Sequence, residues 1–263
     1  MDARQHLDPE PLALDELYHQ NSKHLPVRVA CASGAQVAER ERGLRVAFAA
    51  SRGRYKTYAA CPPIPLPREL VPLAVSLDDA LGSRCSDRVF DGTALSASEL
   101  ATLLARGYGL GPADDPHRGR PVPSGGGLYP LDLYVVQLQE GAIPAGVFHY
   151  HVGLHALQPI AEGCVRREAA DASLYPEIVA TASTLLVVAA DMLRTRGKYG
   201  ERAYRLALFE TGHVAQNLYL AAAALGVGIV ALDGFYDDRL HRLLELDGIV
   251  EIGLLVVALG HRA

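Results

Sequence analysis

Apolar and polar residues alternate with the period of a β-strand directly after a run of three glycines. Leu131, Leu133 and Val135 alternate with Asp132 and Tyr134, which predicts a strand with one apolar face. Five further strands are predicted, at 146–152, 155–160, 183–191, 228–235 and 251–260. The second and third strands meet at a tight turn, and the fourth is apolar enough to be fully buried.

Helical patterns interleave with these strands. Ser96 stands three residues before Glu99, a capping box that opens a helix ending at a pair of glycines. A long and nearly all-apolar helix is predicted at 205–225, and a short amphipathic helix at 237–246. Because tight turns join the central strands, the pattern predicts an α+β fold with a mixed, mainly antiparallel sheet flanked by helices, rather than a doubly wound parallel sheet.

The N-terminal third follows a different pattern from the rest of the chain. Residues 1–75 predict an irregular and partly helical segment packed on the core, with a helical patch at 12–19. The proline-dense stretch 61–70 predicts extended chain lying against the body of the protein, because proline cannot sustain a helix. Residues 76–263 predict the main domain.

Composition narrows the class of protein only moderately. The 263 residues are 49% hydrophobic and 21% charged, as in an ordinary globular protein. A net charge of −5 gives no reason to expect nucleic acid or an acidic membrane surface as a partner. Four scattered cysteines favour a reducing compartment, and no signal peptide or membrane-spanning run is evident, so we expect a cytoplasmic protein.

The glycine run 125–127 is the most unusual stretch of the chain. Pro123 and Pro130 fix the backbone on either side of it. A phosphate loop is excluded, because a strand and not a helix follows the glycines. The run therefore suits either a flat ligand lying on bare backbone or a structural turn, and the residues do not choose between the two.

Two other stretches carry candidate chemistry. If residues 83–90 are extended, Arg84, Ser86 and Arg88 share one face, which suits a phosphate or a solvated basic edge. Lys198 and Tyr199 stand between two glycines directly after the buried strand. They predict either an acid–base pair with shifted pKa values or ordinary surface side chains of a loop.

Polar residues also interrupt the long helix. Glu210, His213 and Asn217, with Gln216 beside them, form one stripe on an otherwise apolar cylinder. Buried polar groups need partners, so this stripe is expected to face a ligand, a second subunit or another polar element.

Three histidines, His149, His151 and His155, have a spacing that suggests a metal site. No carboxylate or cysteine completes the set, and we therefore predict no metal. No GxSxG elbow and no pair of carboxylates for glycoside hydrolysis is present.

Taken in order, these stretches resemble a known family. PSGGGLYP, SRCSDRVF, GKYGERAYR with FETGHVAQNLYLAAAALGVG, and LDGF are similar to the SagB-type (McbC-like) FMN-dependent dehydrogenases of the nitroreductase superfamily. The resemblance covers about the last two-thirds of the chain and extends more loosely to LYHQNSKH near the N-terminus. It implies a nitroreductase-like fold, a homodimer and bound FMN.

The resemblance also implies roles for individual residues. The FMN phosphate and ribityl chain would be held by Arg84, Ser86 and Arg88. The flavin would lie along Pro123, Ser124, Gly125, Gly126 and Gly127, with Asp233 and Gly234 at its edge. Lys198 and Tyr199 would be the catalytic pair. Cys85 stands where the family often has an arginine, and Arg262 is expected to compensate for the lost phosphate contact.

The implied reaction is the oxidation of thiazoline or oxazoline rings to thiazoles or oxazoles in peptide natural-product biosynthesis. The substrate would be an azoline-bearing peptide or a carrier-bound intermediate, with a cyclodehydratase or synthetase complex as a possible partner. Two alternatives stay open: an NAD(P)H-dependent nitroreductase or flavin reductase, and a non-catalytic flavin-bound scaffold of a biosynthetic complex.

Overall fold

The computed structural model describes residues 55–58, 62–111 and 119–263, together with Leu14, Tyr18 and His19. Most of the N-terminal segment 1–75, including most of LYHQNSKH, lies outside the described residues. The three separate residues are helical, within the predicted helical patch 12–19. The domain boundary after residue 75 stays a prediction.

The described strands form one seven-stranded sheet, in the order β1-β4-β3-β2-β5-β7-β6. The strands are β1 (Ile64–Pro65), β2 (Leu131–Gln137), β3 (Gly146–His151), β4 (Ala156–Glu162), β5 (Thr184–Asp191), β6 (Val227–Leu232) and β7 (Glu251–His261). Every pairing between these strands is antiparallel. The predicted α+β class is confirmed, and the described sheet is wholly antiparallel rather than mixed.

Helices precede and follow most of these strands. In the described ranges they are α1 (Leu77–Ser83), α2 (Ala97–Tyr108), α3 (Arg166–Ala172), α4 (Pro176–Thr181), α5 (Leu193–Tyr199), α6 (Arg202–Leu225) and α7 (Asp237–Leu244). The capping box of α2 is confirmed, because Ser96 Oγ accepts from the Glu99 amide and Glu99 Oε2 accepts from the Ser96 amide. Such a cap stabilises a helix by about 1 kcal/mol.

The sheet is covered on both faces. Helices α2 and α6 pack on the face that includes Leu133, whereas α3, α4 and α7 pack on the face that includes Tyr134. Every residue of β2 is therefore buried. The polar residues of this strand have partners on the second face, because His149 contacts Asp132 and Lys56 donates to Tyr134.

Helix α6 begins three residues earlier than predicted and buries one face against the sheet. Its opposite face leaves Tyr204, Leu208 and Phe209 at 38%, 41% and 58% exposure. The helix is thus half-buried in the single chain, and its N-terminal half presents an apolar surface.

Candidate functional site

The glycine run forms a single 3₁₀ turn, Gly125–Gly127, that leads into β2. Gly126 and Gly127 have φ values of +67° and +66°, which glycine adopts without steric cost. Tyr129 follows at φ +48°, and its amide donates to Ser124 Oγ over 2.9 Å, closing the loop on itself. The two glycines are exposed, so bare backbone faces outward.

Lys198 and Tyr199 converge on this bare backbone. A Cβ atom at Gly126 would lie 2.6 Å from Lys198 Nζ and 2.6 Å from Tyr199 Oη, so a side chain at this position would displace both groups. Lys198 Nζ is also 5.3 Å from the centre of the Tyr199 ring. Both side chains are half-buried. The structure thus brings the glycine loop into contact with the predicted catalytic pair.

The predicted loop around Lys198 and Tyr199 was wrong, because both residues belong to helix α5. The helix ends at Gly200, whose φ of +57° reverses the chain before α6 begins. Gly197 is a helical residue and gives no loop flexibility. A helix fixes the two side chains more firmly than the predicted loop would.

Arg194 attaches α5 to the glycine loop and the sheet. Its guanidinium lies 2.7 Å from Asp132 Oδ2 on β2 and 3.2 Å from Asp191 Oδ2 at the end of β5. It also donates to the Tyr129 carbonyl over 3.4 Å. Burial would raise the pKa of Asp132, but the neighbouring His149 and Arg194 more than offset this and lower the pKa to about 2.

Glu210 lies beneath the loop, on the buried side of α6. Its carboxylate accepts from Tyr108 Oη over 2.5 Å and has Ser124 as a second hydrogen-bonding partner. The predicted polar stripe of α6 is therefore divided, because His213 and Gln216 are exposed while Glu210 is 2% exposed. Asn217 bonds backbone carbonyls of Arg106 and Pro121 instead of a ligand.

A second group of predicted site residues lies at the other end of α6. Ser86 Oγ is 3.0 Å from Tyr219 Oη, and the Arg84 guanidinium lies 5.5 Å from the centre of the Tyr219 ring. Tyr219 Oη also accepts from the Ala231 amide of β6 over 2.9 Å. The segment from Arg84 to Val89 directly follows α1 and forms neither helix nor strand, and its Asp87 amide donates to the Ile229 carbonyl of β6 over 2.9 Å.

The cations of this group differ in their partners. Arg84 and Arg88 are exposed, and neither pairs with a carboxylate in the described part of the chain. Arg262 does reach Cys85, with 3.4 Å between Nη2 and Sγ, but its Nε is also 3.4 Å from Asp87 Oδ2. Arg262 therefore lies beside Cys85 and is partly neutralised by Asp87, while its contact with a phosphate stays a prediction.

The turn of Asp233 and Gly234 follows β6 directly. Asp233 is exposed, and the Gly234 carbonyl accepts from the Leu174 amide over 2.9 Å. A Cβ at Gly234 would lie 2.7 Å from the Tyr175 ring, so only glycine fits this contact without displacement. Since Ala231 is bonded to Tyr219, this turn belongs to the same group as Arg84 and Ser86.

The two groups are separated within one chain. The glycine loop contacts α6 at Leu206, and the arginine segment contacts it at Tyr219. Thirteen residues of helix rise about 20 Å along the axis. The predicted residues therefore form two half-sites: a glycine half-site of Pro123 to Gly127 with Lys198 and Tyr199, and an arginine half-site of Arg84, Ser86, Arg88, Asp233, Gly234 and Arg262.

The histidines at 149, 151 and 155 have separate partners. His149 lies between Gln158 and Asp132, His151 accepts from the Leu154 amide, and His155 bonds Tyr150 and the Pro67 carbonyl. Among the described residues, no group of three or more histidine, cysteine or acidic side chains could hold a metal ion.

Sequence reasoning missed three residues that organise the half-sites: Arg194, Tyr219 and Tyr108. Arg194 stands four residues before Lys198, so its position on the same helical face as Lys198 was readable once a helix was assumed. Tyr219 and Tyr108 gave no such signal, because a tyrosine in an apolar helix is more often a core residue.

The chain belongs to the Nitroreductase family, whose model matches residues 81–261. The protein is thus a nitroreductase-family oxidoreductase, and FMN, the cofactor that this family typically uses, is its cofactor. No helix of the described residues is long and apolar enough to cross a membrane.

Two curated relatives illustrate its position within the family. A Methanocaldococcus jannaschii protein, named provisionally as a nitroreductase, is 35% identical over 188 residues, which cover 72% of this chain and 92% of that protein. The microcin B17-processing protein McbC of Escherichia coli is 30% identical over 169 residues, covering 60% of this chain and 59% of McbC.

Solved structures share the fold. A provisionally assigned nitroreductase of Anabaena variabilis superimposes with a TM-score of 0.70 at 23% identity, over 95% of this chain and 46% of that one. A chain of the E. coli microcin synthetase McbBCD complex superimposes with a TM-score of 0.59 at 23% identity, over 92% of this chain and 98% of that one.

The residues present fit FMN. Arg84 and Arg88 are exposed, and each stands two residues from Ser86, so that two guanidinium groups and a hydroxyl form a donor set that suits a phosphate. The exposed backbone of Gly126 and Gly127, without side chains, suits the approach of a flat ring.

Proposed function

We propose that this protein is a SagB-type dehydrogenase that oxidises thiazoline or oxazoline rings to thiazoles or oxazoles during the biosynthesis of a peptide natural product. The observation that carries the proposal is the convergence of Lys198 Nζ and Tyr199 Oη on the bare backbone of Gly126. If a flat ligand lies along this backbone, Lys198 and Tyr199 are available beside it for proton transfer. The similarity to McbC, a microcin-processing protein, supports the same direction.

The chemistry requires an acid–base group beside a two-electron acceptor. The ring carbon linked to the carbonyl loses a proton and its neighbour loses a hydride, so a carbon–carbon double bond forms and the ring becomes aromatic. When bound, FMN supplies the acceptor for the hydride, and dioxygen regenerates it. The proton goes to Lys198 Nζ or Tyr199 Oη, or one of the two groups orients the ring while the other accepts.

Each group of the chain then has a defined task. Arg84, Ser86 and Arg88 would hold the FMN phosphate, with Arg262 beside Cys85 as a further cation. The turn of Asp233 and Gly234 and the loop from Pro123 to Gly127 would contact the flavin. Because α5 and the tightly closed glycine loop are held together by Arg194, the proton-transfer atoms are positioned before substrate arrives.

We infer that one FMN uses half-sites from two protomers of a homodimer. The points at which Gly125 and Ser86 contact α6, Leu206 and Tyr219, lie about 20 Å apart by helix rise, and exposed apolar side chains of α6 lie near the glycine half-site. In a twofold interface the same surface serves both subunits. Two α6 helices that cross such an axis antiparallel bring the Leu206 end of one beside the Tyr219 end of the other, and so unite the half-sites.

The substrate is proposed to be an azoline on a peptide or on a carrier-bound intermediate, with a synthetase complex as the partner. McbC, to which this chain is similar, processes microcin B17, and a chain of the McbBCD synthetase complex shares the fold. A cytoplasmic location and the domain boundary after residue 75 belong to the same proposal.

A second candidate is an NAD(P)H-dependent nitroreductase. The M. jannaschii relative favours it, because that similarity covers nearly its whole length. The position of Lys198 and Tyr199 favours the first candidate, since hydride transfer from a nicotinamide needs no base at that place.

One experiment separates the candidates. The purified, FMN-loaded protein is incubated with azoline-bearing peptides in air, and the mass of the substrate is measured by mass spectrometry. We expect a loss of two hydrogens per ring and slow or no bleaching of the flavin by NAD(P)H. Rapid bleaching by NAD(P)H without azole formation would establish the nitroreductase instead. Retained flavin and partner binding without either activity would indicate a scaffold.

A further inference from the structure

The buried carboxylate of Glu210 has no part in the proposed chemistry, yet it lies directly beneath the glycine loop. It comes from the middle of α6 and is 2% exposed. Burying a charged group is costly unless it is fully hydrogen-bonded, so this carboxylate is expected to have specific hydrogen-bonding partners.

Two hydroxyl groups point their hydrogens at this carboxylate because their oxygens are already used. Tyr108 Oη accepts from the Leu131 amide over 3.2 Å and lies 2.5 Å from Glu210 Oε1. Ser124 Oγ accepts from the Tyr129 amide over 2.9 Å, and its hydroxyl interacts with Glu210 in a way that lowers the pKa of that carboxyl. An ionised carboxylate only accepts hydrogen bonds, so it is the matching group for two donors.

The two amides flank Pro130 and define the path of the chain from the glycine loop into β2. Tyr129 has a φ of +48°, a left-handed conformation that costs energy for a residue other than glycine. The bond from its amide to Ser124 compensates for that cost, and Glu210 fixes Ser124 in turn.

We propose that Glu210 is the positioning residue of the glycine loop. Through Ser124 and Tyr108, Glu210 holds the amides of Tyr129 and Leu131. This fixes the backbone of the loop and so determines the distance of Gly126 from the ends of Lys198 and Tyr199. Its connection to catalysis rests on the proposed function, whereas its hold on the loop does not.

The groups around Glu210 act on its pKa in opposite directions. Burial raises the pKa of Glu210, while the hydrogen bonds of Ser124 and Tyr108 and the charges of Arg120 and His213 oppose the increase. Arg120 lies 4.0 Å from the centre of the Tyr108 ring and donates to the Tyr108 carbonyl, so its charge is fixed close to the cluster.

The first test is amide hydrogen exchange of the full chain, without FMN. In Glu210→Gln one acceptor oxygen becomes a donor, and we expect exchange at Tyr129 and Leu131 to accelerate about tenfold to a hundredfold, the loss of one hydrogen bond to a charged group. Gln216→Ala, an exposed polar residue of the same helix, is the matched control and should leave both amides unchanged. Unchanged exchange in Glu210→Gln would overturn the proposal.

The second test is a double-mutant cycle on FMN affinity, measured by titration of the apoprotein. If Glu210 acts through Ser124, then Glu210→Gln and Ser124→Ala each weaken FMN binding, and the double variant is no weaker than the more severe single one. Additive losses would overturn the coupling.

Should Glu210→Gln fail to fold, Tyr108→Phe and Ser124→Ala remove one donor each, and unaltered exchange at both amides would contradict the proposal equally. A wild-type chain that binds no FMN would refute the proposed function but leave the exchange result valid.

Discussion

Gly126 lies directly against the ends of Lys198 and Tyr199, so close that a methyl group on its Cα would lie 2.6 Å from both Nζ and Oη. The two stretches are more than 70 residues apart along the chain. Their contact defines the glycine half-site and leads to the first prediction.

Gly126→Ala should reduce turnover more than its effect on stability explains. The positive φ costs about 1–2 kcal/mol for a residue with a Cβ, and the methyl group also displaces the two catalytic side chains. Gly127→Ala is the matched control, because it has the same φ of +66° but no atom within 4 Å of its Cβ. Comparable rates of azole formation in the two variants would show that the contact of Gly126 with Lys198 and Tyr199 does not contribute to catalysis.

Lys198→Ala and Tyr199→Phe should leave FMN bound, because neither residue belongs to the arginine half-site. The rate of azole formation should fall by about 10²–10⁴, the usual contribution of a positioned acid or base. Flavin content is read from the visible spectrum and turnover from the loss of two hydrogens. Near-normal turnover in both variants would show that neither Lys198 nor Tyr199 is the acid or base of the reaction.

Arg84→Ala and Arg88→Ala should each weaken FMN retention about tenfold to a hundredfold, as expected for one charge-assisted contact to a phosphate. Arg167→Ala, an exposed arginine of α3, is the control for the loss of a surface charge. Unfolding curves should be unchanged, since both site arginines are exposed. Full flavin occupancy in the double variant would place the phosphate elsewhere.

Arg194→Ala should destabilise the fold by about 3–5 kcal/mol, because it leaves the buried Asp132 without its cation. Arg196→Ala, an exposed arginine of the same helix, should have little effect. Denaturant unfolding measures both. A small loss in Arg194→Ala would mean that Asp132 is held by other groups.

The same pair predicts a dependence of stability on pH. The folded pKa of Asp132 is about 2, below its ordinary value of 3.8, so the stabilisation is complete above pH 4 and is lost as the pH falls from about 4 to about 2. Asp132→Asn should flatten the free energy of unfolding over that interval. An unaltered acid limb in this variant would assign the effect to other carboxylates.

Phe209→Glu should dissociate the proposed homodimer and release FMN, since a charge on the apolar face of α6 cannot be desolvated in a twofold interface. Ile249→Glu is the control, because Ile249 is 75% exposed but lies in the loop before β7. Sedimentation gives the mass and the visible spectrum gives the flavin content. A wild-type protein that sediments as a monomer with FMN bound would refute the shared site.

The sequence by itself located most of the helices and strands and indicated candidate chemistry for several stretches. The period of apolar residues located β2, β5, β7 and α6 to within a few residues, because that period depends only on the local backbone. The capping box of Ser96 and Glu99 was readable for the same reason. The glycine run at 125–127 left two alternatives open, a flat ligand on bare backbone and a structural turn.

The tertiary structure decided which of these stretches meet. Asp132 alternates with apolar residues in the sequence, but only the packing of helices on both faces of the sheet buries it and makes Arg194, 62 residues away, its partner. Glu210 and His213 share one stripe in sequence, yet α6 turns the first toward Ser124 and the second toward solvent. Contacts of this kind depend on how elements pack in space, and no periodicity within one element encodes them.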